Sequence, residues 1–386
     1  MANNNDNKVL NVPHLRFPEF SGEWKMCTIG ELTTKVGSGV TPRGGEAVYK
    51  TEGHPFVRSQ NVGLGNLLLD DIAFIDEETH LRQKNTELQF NDVLLNITGA
   101  SIGRSALVDK QIVGGNVNQH VCIIRTKENL VPSFICSFLL SNYGQRQIDS
   151  FQAGGNRQGL NFEQIKSIKI TIPSKDEQIK IAKLLRAIDE RIATQNKIID
   201  KLQSLIKGLR VCCMQRNGSD NVYLSEIAQI YQPQTISSAE LTEDGFLVYG
   251  ANGIIGKYKD YNHKTEQICI TCRGNTCGMV NYTKPMSWIT GNAMVINTDK
   301  YQDKVYKKYL YHYLSAYNFN SIISGSGQPQ IVRTPLEKLK ITLPTISEQK
   351  QKAMILDKIQ DKIDINHNVL NLYILQKQYL LRQMFI

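Results

Sequence analysis

Residues 165–185 read IKSIKITIPSKDEQIKIAKLL, and residues 336–356 read LEKLKITLPTISEQKQKAMIL. Pro173 aligns with Pro344 at an offset of 171 residues, and the Glu-Gln dipeptide four residues after each proline aligns at the same offset. The similarity extends upstream to glycine positions, matched as Gly99 with Gly274, Gly103 with Gly278, and Gly115–Asn116 with Gly291–Asn292. Such a repeat predicts one folding unit that occurs twice in the chain.

Each copy is predicted to be a mixed α/β globule followed by a long helix. Short β-branched runs bounded by Gly, Asn and Pro predict strands at 93–97, 121–124, 268–271 and 293–296. Helical patterns interrupt them at 132–142 and 304–316, and a closing strand, 168–172 or 339–343, ends at a proline. The predicted fold class is therefore α+β with an internal duplication and pseudo-two-fold symmetry.

The long helices are predicted from about 175 to 214 and from about 346 to 385. Ser174 is a plausible N-cap, and Glu177 completes a capping box. Apolar residues then recur in steps of four and three, which is the 3.5-residue period of a coiled coil. The first seam is Ile181, Leu185, Ile188, Ile192, Gln195, Ile199, Leu202, Ile206 and Leu209. Adding 171 gives Lys352, Leu356, Ile359, Ile363, Asn366, Leu370, Tyr373, Lys377 and Leu380.

The polar seam residues Gln195 and Asn366 are repeat equivalents near the middle of their helices. If the two helices pair antiparallel, the two amides meet and fix the register of the pair at some cost in stability. The alternative is that both amides face solvent or a partner chain.

This pattern predicts a helical spacer of fixed length between two recognition surfaces. The predicted segments are an N-terminal segment at 1–22, a first globule at 23–174, a spacer helix at 175–215, a second globule at 219–345 and a C-terminal spacer helix at 346–386. Each helix is about 55–60 Å long at 1.5 Å per residue. B-DNA turns once in about 34–36 Å, so the geometry suggests a target in two unlike parts with a fixed gap.

Composition limits the class of protein. The chain has 386 residues, a formal charge of +9 and a pI near 9.0, which suits a polyanionic partner but fits many other proteins. No apolar run reaches the roughly 20 residues of a membrane span, and the polar N-terminus is no signal peptide. The eight cysteines are scattered, as in reduced thiols. We expect a soluble cytoplasmic protein without membrane contact.

The sequence lacks the motifs of several enzyme classes. There is no phosphate-binding G-x-x-x-x-G-K-[ST] loop, no G-x-G-x-x-G fingerprint, no H-E-x-x-H pair, and no Asn/Asp-Pro-Pro-aromatic tetrapeptide of an adenine methyltransferase. Cys269, Cys272 and Cys277, with His263 upstream, invite a metal interpretation. However, their repeat equivalents are Leu94, Ile97 and Ile102, which indicates buried hydrophobic positions. We expect no metal, no cofactor and no catalysis.

The chain resembles the specificity subunits of Type I restriction-modification systems. The segments that carry the resemblance are VPHLRFPEFSGEW (12–24), IGELTTKVGSGVTP (29–42), HPFVRSQNV (54–62), DVLLNITGASIGRSALV (92–108) and TIPSKDEQIKIAKLLRAIDERI (171–192) with its echo at 342–363. The resemblance implies two target-recognition domains, each reading half of a bipartite, asymmetric site in double-stranded DNA. It implies two antiparallel spacer helices, two modification subunits that bind S-adenosylmethionine, and restriction subunits that hydrolyse ATP and cleave. The second globule departs from the pattern, because it is shorter and has no clear match to Thr41–Pro42.

Base reading favours Arg for guanine and Asn or Gln for adenine, and small hydroxyl groups contact phosphates. In the first globule the loop residues of these types are Ser38, Thr41, Arg43, Arg58, Ser59, Gln60, Asn61, Arg104, Asn118, Arg157 and Gln158. In the second globule they are Gln232, Gln234, Asn252, Arg273, Asn275, Gln328, Gln330 and Arg333. For each single residue, a turn or surface role is the competing interpretation.

Two other functions remain open. The chain could be an assembly adaptor that binds proteins and not DNA, or a nucleic-acid-modifying enzyme with a diverged active site. DNA binding whose logarithm falls linearly with the logarithm of salt concentration would exclude the adaptor. Methyl transfer by the chain alone would favour the enzyme.

Overall fold

The duplicated segments each fold as a short strand followed by a long helix in the computed structural model, which describes residues 11–152, 159–214, 220–251, 253–325 and 327–386. The strands are Lys169–Ile172 and Lys340–Leu343, and the helices are Lys175–Met214 and Ile346–Gln383. Both helices lie within three residues of their predicted ends. Proline at 173 and 344 stops each strand because it has no N–H to continue the ladder.

The chain divides into two compact units. Unit 1 comprises 1–196 and 369–386, and unit 2 comprises 197–368. The strands before the first long helix are β1 Lys25–Thr28, β2 Thr33–Ser38, β3 His54–Val57, β4 Ala73–Ile75, β5 Val93–Asn96, β6 Ser105–Leu107, β7 Asn116–Val117, β8 Val121–Thr126 and β9 Lys169–Ile172. The helices up to this point are α1 Glu77–Arg82, α2 Pro132–Leu140, α3 Asn142–Ser150, α4 Phe162–Ser167 and the long helix α5 Lys175–Met214.

The second half of the chain repeats this order with fewer short helices. Its strands are β10 Asp220–Tyr223, β11 Gln229–Tyr231, β12 Phe246–Gly250, β13 Gly253–Tyr258, β14 Ile268–Thr271, β15 Val280–Tyr282, β16 Trp288–Ile289, β17 Ala293–Asn297 and β18 Lys340–Leu343. Its helices are α6 Lys307–Ala316, α7 Arg333–Glu337 and the long helix α8 Ile346–Gln383. The predicted strands and helices are all present, with ends shifted by at most three residues.

The sheets of the two units have the same topology. Unit 1 has a four-stranded sheet of order β2-β8-β5-β6, a three-stranded sheet of order β4-β3-β7, and the antiparallel pair β1-β9. Unit 2 has the matching orders β11-β17-β14-β15, β13-β12-β16 and β10-β18. In both three-stranded sheets the last pairing is parallel. The predicted internal duplication and mixed α/β class are confirmed.

Strand register corrects one of the predicted repeat matches. Ile97 N donates to His120 O at 3.0 Å, and Cys272 N donates to Asn292 O at 3.1 Å. His120 is thus the equivalent of Asn292, so Gly291 aligns with residue 119 of the first copy. The match of Gly115–Asn116 with Gly291–Asn292 was wrong by four residues, because the connecting loops differ in length between the copies.

A buried glutamine fastens each long helix to the globule before it. Gln178 Oε1 accepts a hydrogen bond from Val131 N at 2.8 Å, and its Nε2 donates to the carbonyls of Asn129 and Pro173. Gln349 makes the same three bonds in unit 2, to Tyr306 N and to the carbonyls of Lys304 and Pro344. The repeated glutamine is therefore a structural residue.

The acidic neighbours of these glutamines act differently in the two copies. Thr345 and Glu348 form a reciprocal capping box at the start of α8. At the start of α5, Ser174 Oγ accepts from Glu177 N at 3.4 Å, but the carboxylate of Glu177 binds the Arg16 guanidinium through two 2.8 Å contacts. The predicted capping box of α5 is thus only half formed in these contacts, and the carboxylate instead holds the N-terminal segment against the helix.

The long helices run antiparallel to each other within each unit. In unit 1, Asp189 of α5 pairs with Lys377 of α8 at 2.6 Å. In unit 2, the later part of α5 packs against the earlier part of α8, with Ile206 beside Leu356 and Ile363. All eighteen predicted seam positions are buried or half-buried. Among the described residues no helix is both long and apolar enough to cross a membrane.

Candidate nucleic-acid interface

In unit 1, a chain of hydrogen bonds joins the loop after β2 to the loops beside β5 and β8. Thr41 N donates to Gln119 Oε1 at 2.8 Å, and Gln119 Nε2 lies 3.2 Å from His120 Nε2. His120 Nδ1 in turn lies 2.6 Å from Thr98 Oγ1. The predicted loops 38–43 and 116–120 therefore belong to one surface, which also contains Thr98.

Asn96 attaches two further loops to this surface. Its Nδ2 donates to Ser59 O at 2.8 Å and to Ser101 Oγ at 3.1 Å, and its backbone N donates to Arg104 O at 2.9 Å. Asn96 itself is fully buried, whereas the Arg104 side chain is exposed. The predicted residues of loops 58–61 and 99–104 are thus held side by side.

Several predicted residues are used inside unit 1. Arg58 Nη2 donates to Asp71 O at 2.6 Å, and Gln60 Nε2 donates to the Asp71 carboxylate. Asn61 is fully buried, with Nδ2 bonded to Leu68 O at 2.9 Å and Oδ1 accepting from Arg58 N at 2.9 Å. These bonds occupy the groups that would contact a base, and they make Asn61 a structural residue.

Asn118 is also nearly buried. Its Oδ1 accepts from His120 N at 3.0 Å, which shapes the turn before β8. Ser38 is half-buried, and its Oγ donates to Gly39 O at 3.4 Å. Neither side chain extends from the surface as Arg43 and Arg104 do.

Unit 2 builds the same surface from equivalent loops. Gln232 Nε2 donates to Gly291 O at 3.1 Å, and the Thr271 hydroxyl donates to Ala251 O. Gly274 N donates to Pro329 O at 3.0 Å. The described parts of the predicted loops around 232–234, 249–252, 273–275 and 325–330 therefore adjoin one another.

The correspondence between the two surfaces is close. Thr98 forms an isolated bridge with Gly159 in unit 1, and Arg273 forms one with Gln330 in unit 2. Thr98 is therefore the equivalent of the predicted residue Arg273. Thr98 is not among the predicted residues, although the offset of 175 residues that aligns Gly99 with Gly274 also aligns Thr98 with Arg273.

The predicted residues differ in how available they are. Exposed side chains with no hydrogen bond or ion pair to another described residue are Arg43, Arg104, Gln234, Arg273, Asn275, Gln328 and Gln330. Arg333 is exposed but bonded to Glu337 at 2.7 Å. Arg157, Gln158 and Asn252 lie outside the described residues.

The polar helix residues differ in environment. Gln195 is buried in unit 1, and Asn366 is half-buried in unit 2 with its Nδ2 bonded to Lys362 O at 2.5 Å. Their predicted mutual pairing stays a prediction.

The cysteines of unit 2 belong to its core. Cys269 and Cys272 are fully buried, and burial raises the pKa of the Cys269 thiol to about 12. Cys269 pairs with Val295 in the sheet as Leu94 pairs with Ile123 in unit 1. Both ring nitrogens of His263 lie within hydrogen-bonding distance of side chains, Tyr231 at 2.9 Å and Asn262 at 2.5 Å. Among the described residues no cluster of His, Cys, Asp or Glu could hold a metal ion.

Comparison with known proteins gives a consistent result. The family model described as Type I restriction modification DNA specificity domain matches residues 21–204 and again residues 217–372. The chain is 24% identical over 404 residues to the Type I restriction enzyme MjaVIII specificity subunit of Methanocaldococcus jannaschii, covering 91% of this chain and 88% of that one.

One further relative and one solved structure are similar to this chain. The chain is 32% identical over 140 residues to the Type I restriction enzyme EcoprrI specificity subunit of Escherichia coli, covering 35% of this chain and 34% of that one. The crystal structure of a Type I restriction-modification system S subunit from M. genitalium has a TM-score of 0.67 and 17% identity, covering 97% of this chain and 99% of that one. At that identity the structural likeness concerns the fold.

Proposed function

The chain belongs to the family of Type I restriction modification DNA specificity domains, and from this membership we propose that its two loop surfaces read the two halves of one split, asymmetric site in double-stranded DNA. The chain has the role of a specificity subunit. Unit 1 reads one half-site and unit 2 reads the other.

One observation carries the proposal. The same loop platform is built twice, with matching hydrogen bonds such as Ile97 N to His120 O and Cys272 N to Asn292 O. Yet the exposed side chains at equivalent positions differ, since Arg104 on one platform corresponds to Met279 on the other. A constant scaffold with variable polar loops suits recognition of two unlike sequences on one kind of polymer.

The long helices are proposed to set the gap between the half-sites and to dock the partner subunits. Helix α5 has 40 residues and α8 has 38, so each is about 60 Å long at 1.5 Å per residue. Exposed apolar side chains follow both helices outside their common seam: Ile198, Leu205, Ile365, Leu372 and Leu375. We propose that two modification subunits bind these helices and that restriction subunits join through them.

We further propose that the chain has no catalysis of its own and acts in the cytoplasm, where its DNA target is. The methyl group would come from the S-adenosylmethionine of the modification subunits. The support is that the predicted side chains left exposed and unbonded among the described loop residues are Arg, Asn and Gln, which suit binding rather than acid–base chemistry.

The decisive experiment is co-expression with a cognate modification subunit, followed by genome-wide mapping of methylated adenines. We expect one asymmetric split motif. Exchange of segment 219–345 for that of another family member should alter one half of the motif only. Alteration of both halves, or a continuous motif, would contradict the proposal.

The competing functions predict other results. A protein-assembly adaptor without DNA binding would leave the affinity of the complex for DNA independent of this chain. A specificity subunit gives DNA binding whose logarithm falls linearly with the logarithm of salt concentration. An enzyme with a diverged active site would methylate DNA with this chain alone.

A further inference from the structure

The two loop surfaces differ in which kind of side chain is free to contact a base. In unit 1 the amides are used internally: Gln60 binds Asp71, and Gln119 binds Thr41 and lies beside His120. The exposed guanidinium groups of Arg43 and Arg104 have no ion pair with a described residue. Among the described loop residues, unit 1 thus presents cations and uses these two amides in its own structure.

Unit 2 shows the reverse arrangement. The side-chain amides of Gln234, Asn275, Gln328 and Gln330 are exposed and form no hydrogen bond with another described residue. Arg273 is the one predicted guanidinium of this surface without an ion pair in the described part of the chain, since Arg333 is bonded to Glu337. Unit 2 therefore presents mainly amides.

An apolar hairpin adjoins the loop that carries Asn275. Ile254 and Ile255 follow the turn between β12 and β13 and are 54% and 46% exposed. The turn is tied to the loop of Asn275 because the hydroxyls of Thr271 and Thr276 both donate to Ala251 O. Two exposed isoleucines next to the loop of Asn275 are unexpected on a surface that only contacts phosphates.

Amide side chains bond adenine through two parallel hydrogen bonds, and apolar side chains contact the 5-methyl group of thymine in the major groove. We infer that unit 2 reads an A·T-rich half-site, with its free amides on adenine and the Ile254–Ile255 hairpin against a thymine methyl group. Unit 1 reads a half-site that contains guanine, through Arg43 or Arg104. This inference rests on the proposed function.

The first test uses the full chain in complex with its modification subunit and maps the methylated motif. Asn275→Ala and Gln330→Ala should each relax recognition at A·T positions of one half-site only. Methylation of sites with a wrong base at such a position should rise about tenfold relative to the correct site, which is within the range of a lost two-bond base contact. Joint replacement of Arg43 and Arg104 by alanine should relax guanine positions in the other half. Gln302→Ala, which removes an exposed glutamine distant in sequence from these loops, should leave the motif unchanged.

The second test addresses the hairpin. Each thymine of the mapped half-site is replaced by deoxyuridine, which lacks only the 5-methyl group, and binding by the complex is measured. At one position the replacement should weaken DNA binding by the wild-type complex severalfold. The same replacement should not change DNA binding by the complex that carries Ile254→Ala or Ile255→Ala. Thermal unfolding of these variants checks that they remain folded.

The outcomes separate this inference from the proposed function. A split motif whose unit 2 half is relaxed at G·C pairs overturns the inference and leaves the function intact. Equal deoxyuridine effects in wild type and in both hairpin variants overturn the hairpin contact. If no split motif is methylated, the proposed function fails, and the inference fails with it.

Discussion

At the residue scale, a single buried glutamine, Gln178 or Gln349, joins each globule to its long helix. Each satisfies one backbone N–H and two carbonyls between a globule and its long helix. Gln349→Ala should lower the free energy of unfolding by about 2 kcal/mol, because buried polar groups lose their partners. Urea denaturation measures this change. Gln351→Ala, on the exposed side of the same helix, is the matched control and should change little.

Two residues of unit 1 should respond in opposite ways to truncation. Asn61→Ala should cost about 2 kcal/mol of stability and leave the methylated motif unchanged, because Asn61 is fully buried and bonded internally. Arg104→Ala should leave stability within about 0.5 kcal/mol and weaken recognition, because its side chain is exposed. A relaxed motif in a stable Asn61→Ala protein would contradict this assignment.

At the element scale, a polar contact joins α6 to both long helices within unit 2. His312 is buried, its Nε2 lies 3.0 Å from Asp357 Oδ1, and Arg210 Nε donates to its Nδ1 at 3.3 Å. Because arginine can only donate, Nδ1 must accept, so the neutral ring carries its proton on Nε2. Burial is the main reason that the pKa of His312 is lowered, and the nearby Arg210 lowers it further, while Asp357 partly offsets this.

This lowered pKa predicts acid sensitivity. Above a pH of about 6.5 the ring is neutral in the folded and unfolded chains. As the pH falls below that value the unfolded chain binds the proton first, so stability is lost until the folded pKa is reached. Thermal midpoints at pH 7.5 and 5.5 should differ more for wild type than for His312→Gln. His367→Gln, an exposed histidine on α8, should behave as wild type.

The predictability of the elements follows from the range of the interactions that form them. The coiled-coil seam from Ile181 to Leu209 was predictable because its 3.5-residue period depends only on residues close together in the sequence. The internal use of Gln60 and Asn61 was not predictable, because their partner Asp71 lies in another loop. The availability of Arg104 likewise depends on tertiary neighbours. Sequence therefore indicated the loops of the interface but not which of their side chains are free.

At the scale of the whole molecule, helix length should translate into DNA spacing. Deleting one heptad from each long helix at equivalent positions removes about 10 Å of rise, or about three base pairs at 3.4 Å each. We expect the mapped motif to keep both half-sites and to lose about three base pairs from its gap, or methylation to stop. Retention of the original gap with full methylation would show that the helices do not set it.

The division of the chain into units has a consequence for biosynthesis. Unit 1 needs 369–386, and the side chains of Leu380, Leu381, Met384 and Phe385 complete its hydrophobic core around Phe134 and Ile188. The globule translated first therefore cannot complete its hydrophobic core until residues 380–385 have been synthesised. A stop codon in place of Leu380 should expose the amino-terminal globule to proteases while unit 2 stays resistant, which limited proteolysis of the truncated product would reveal.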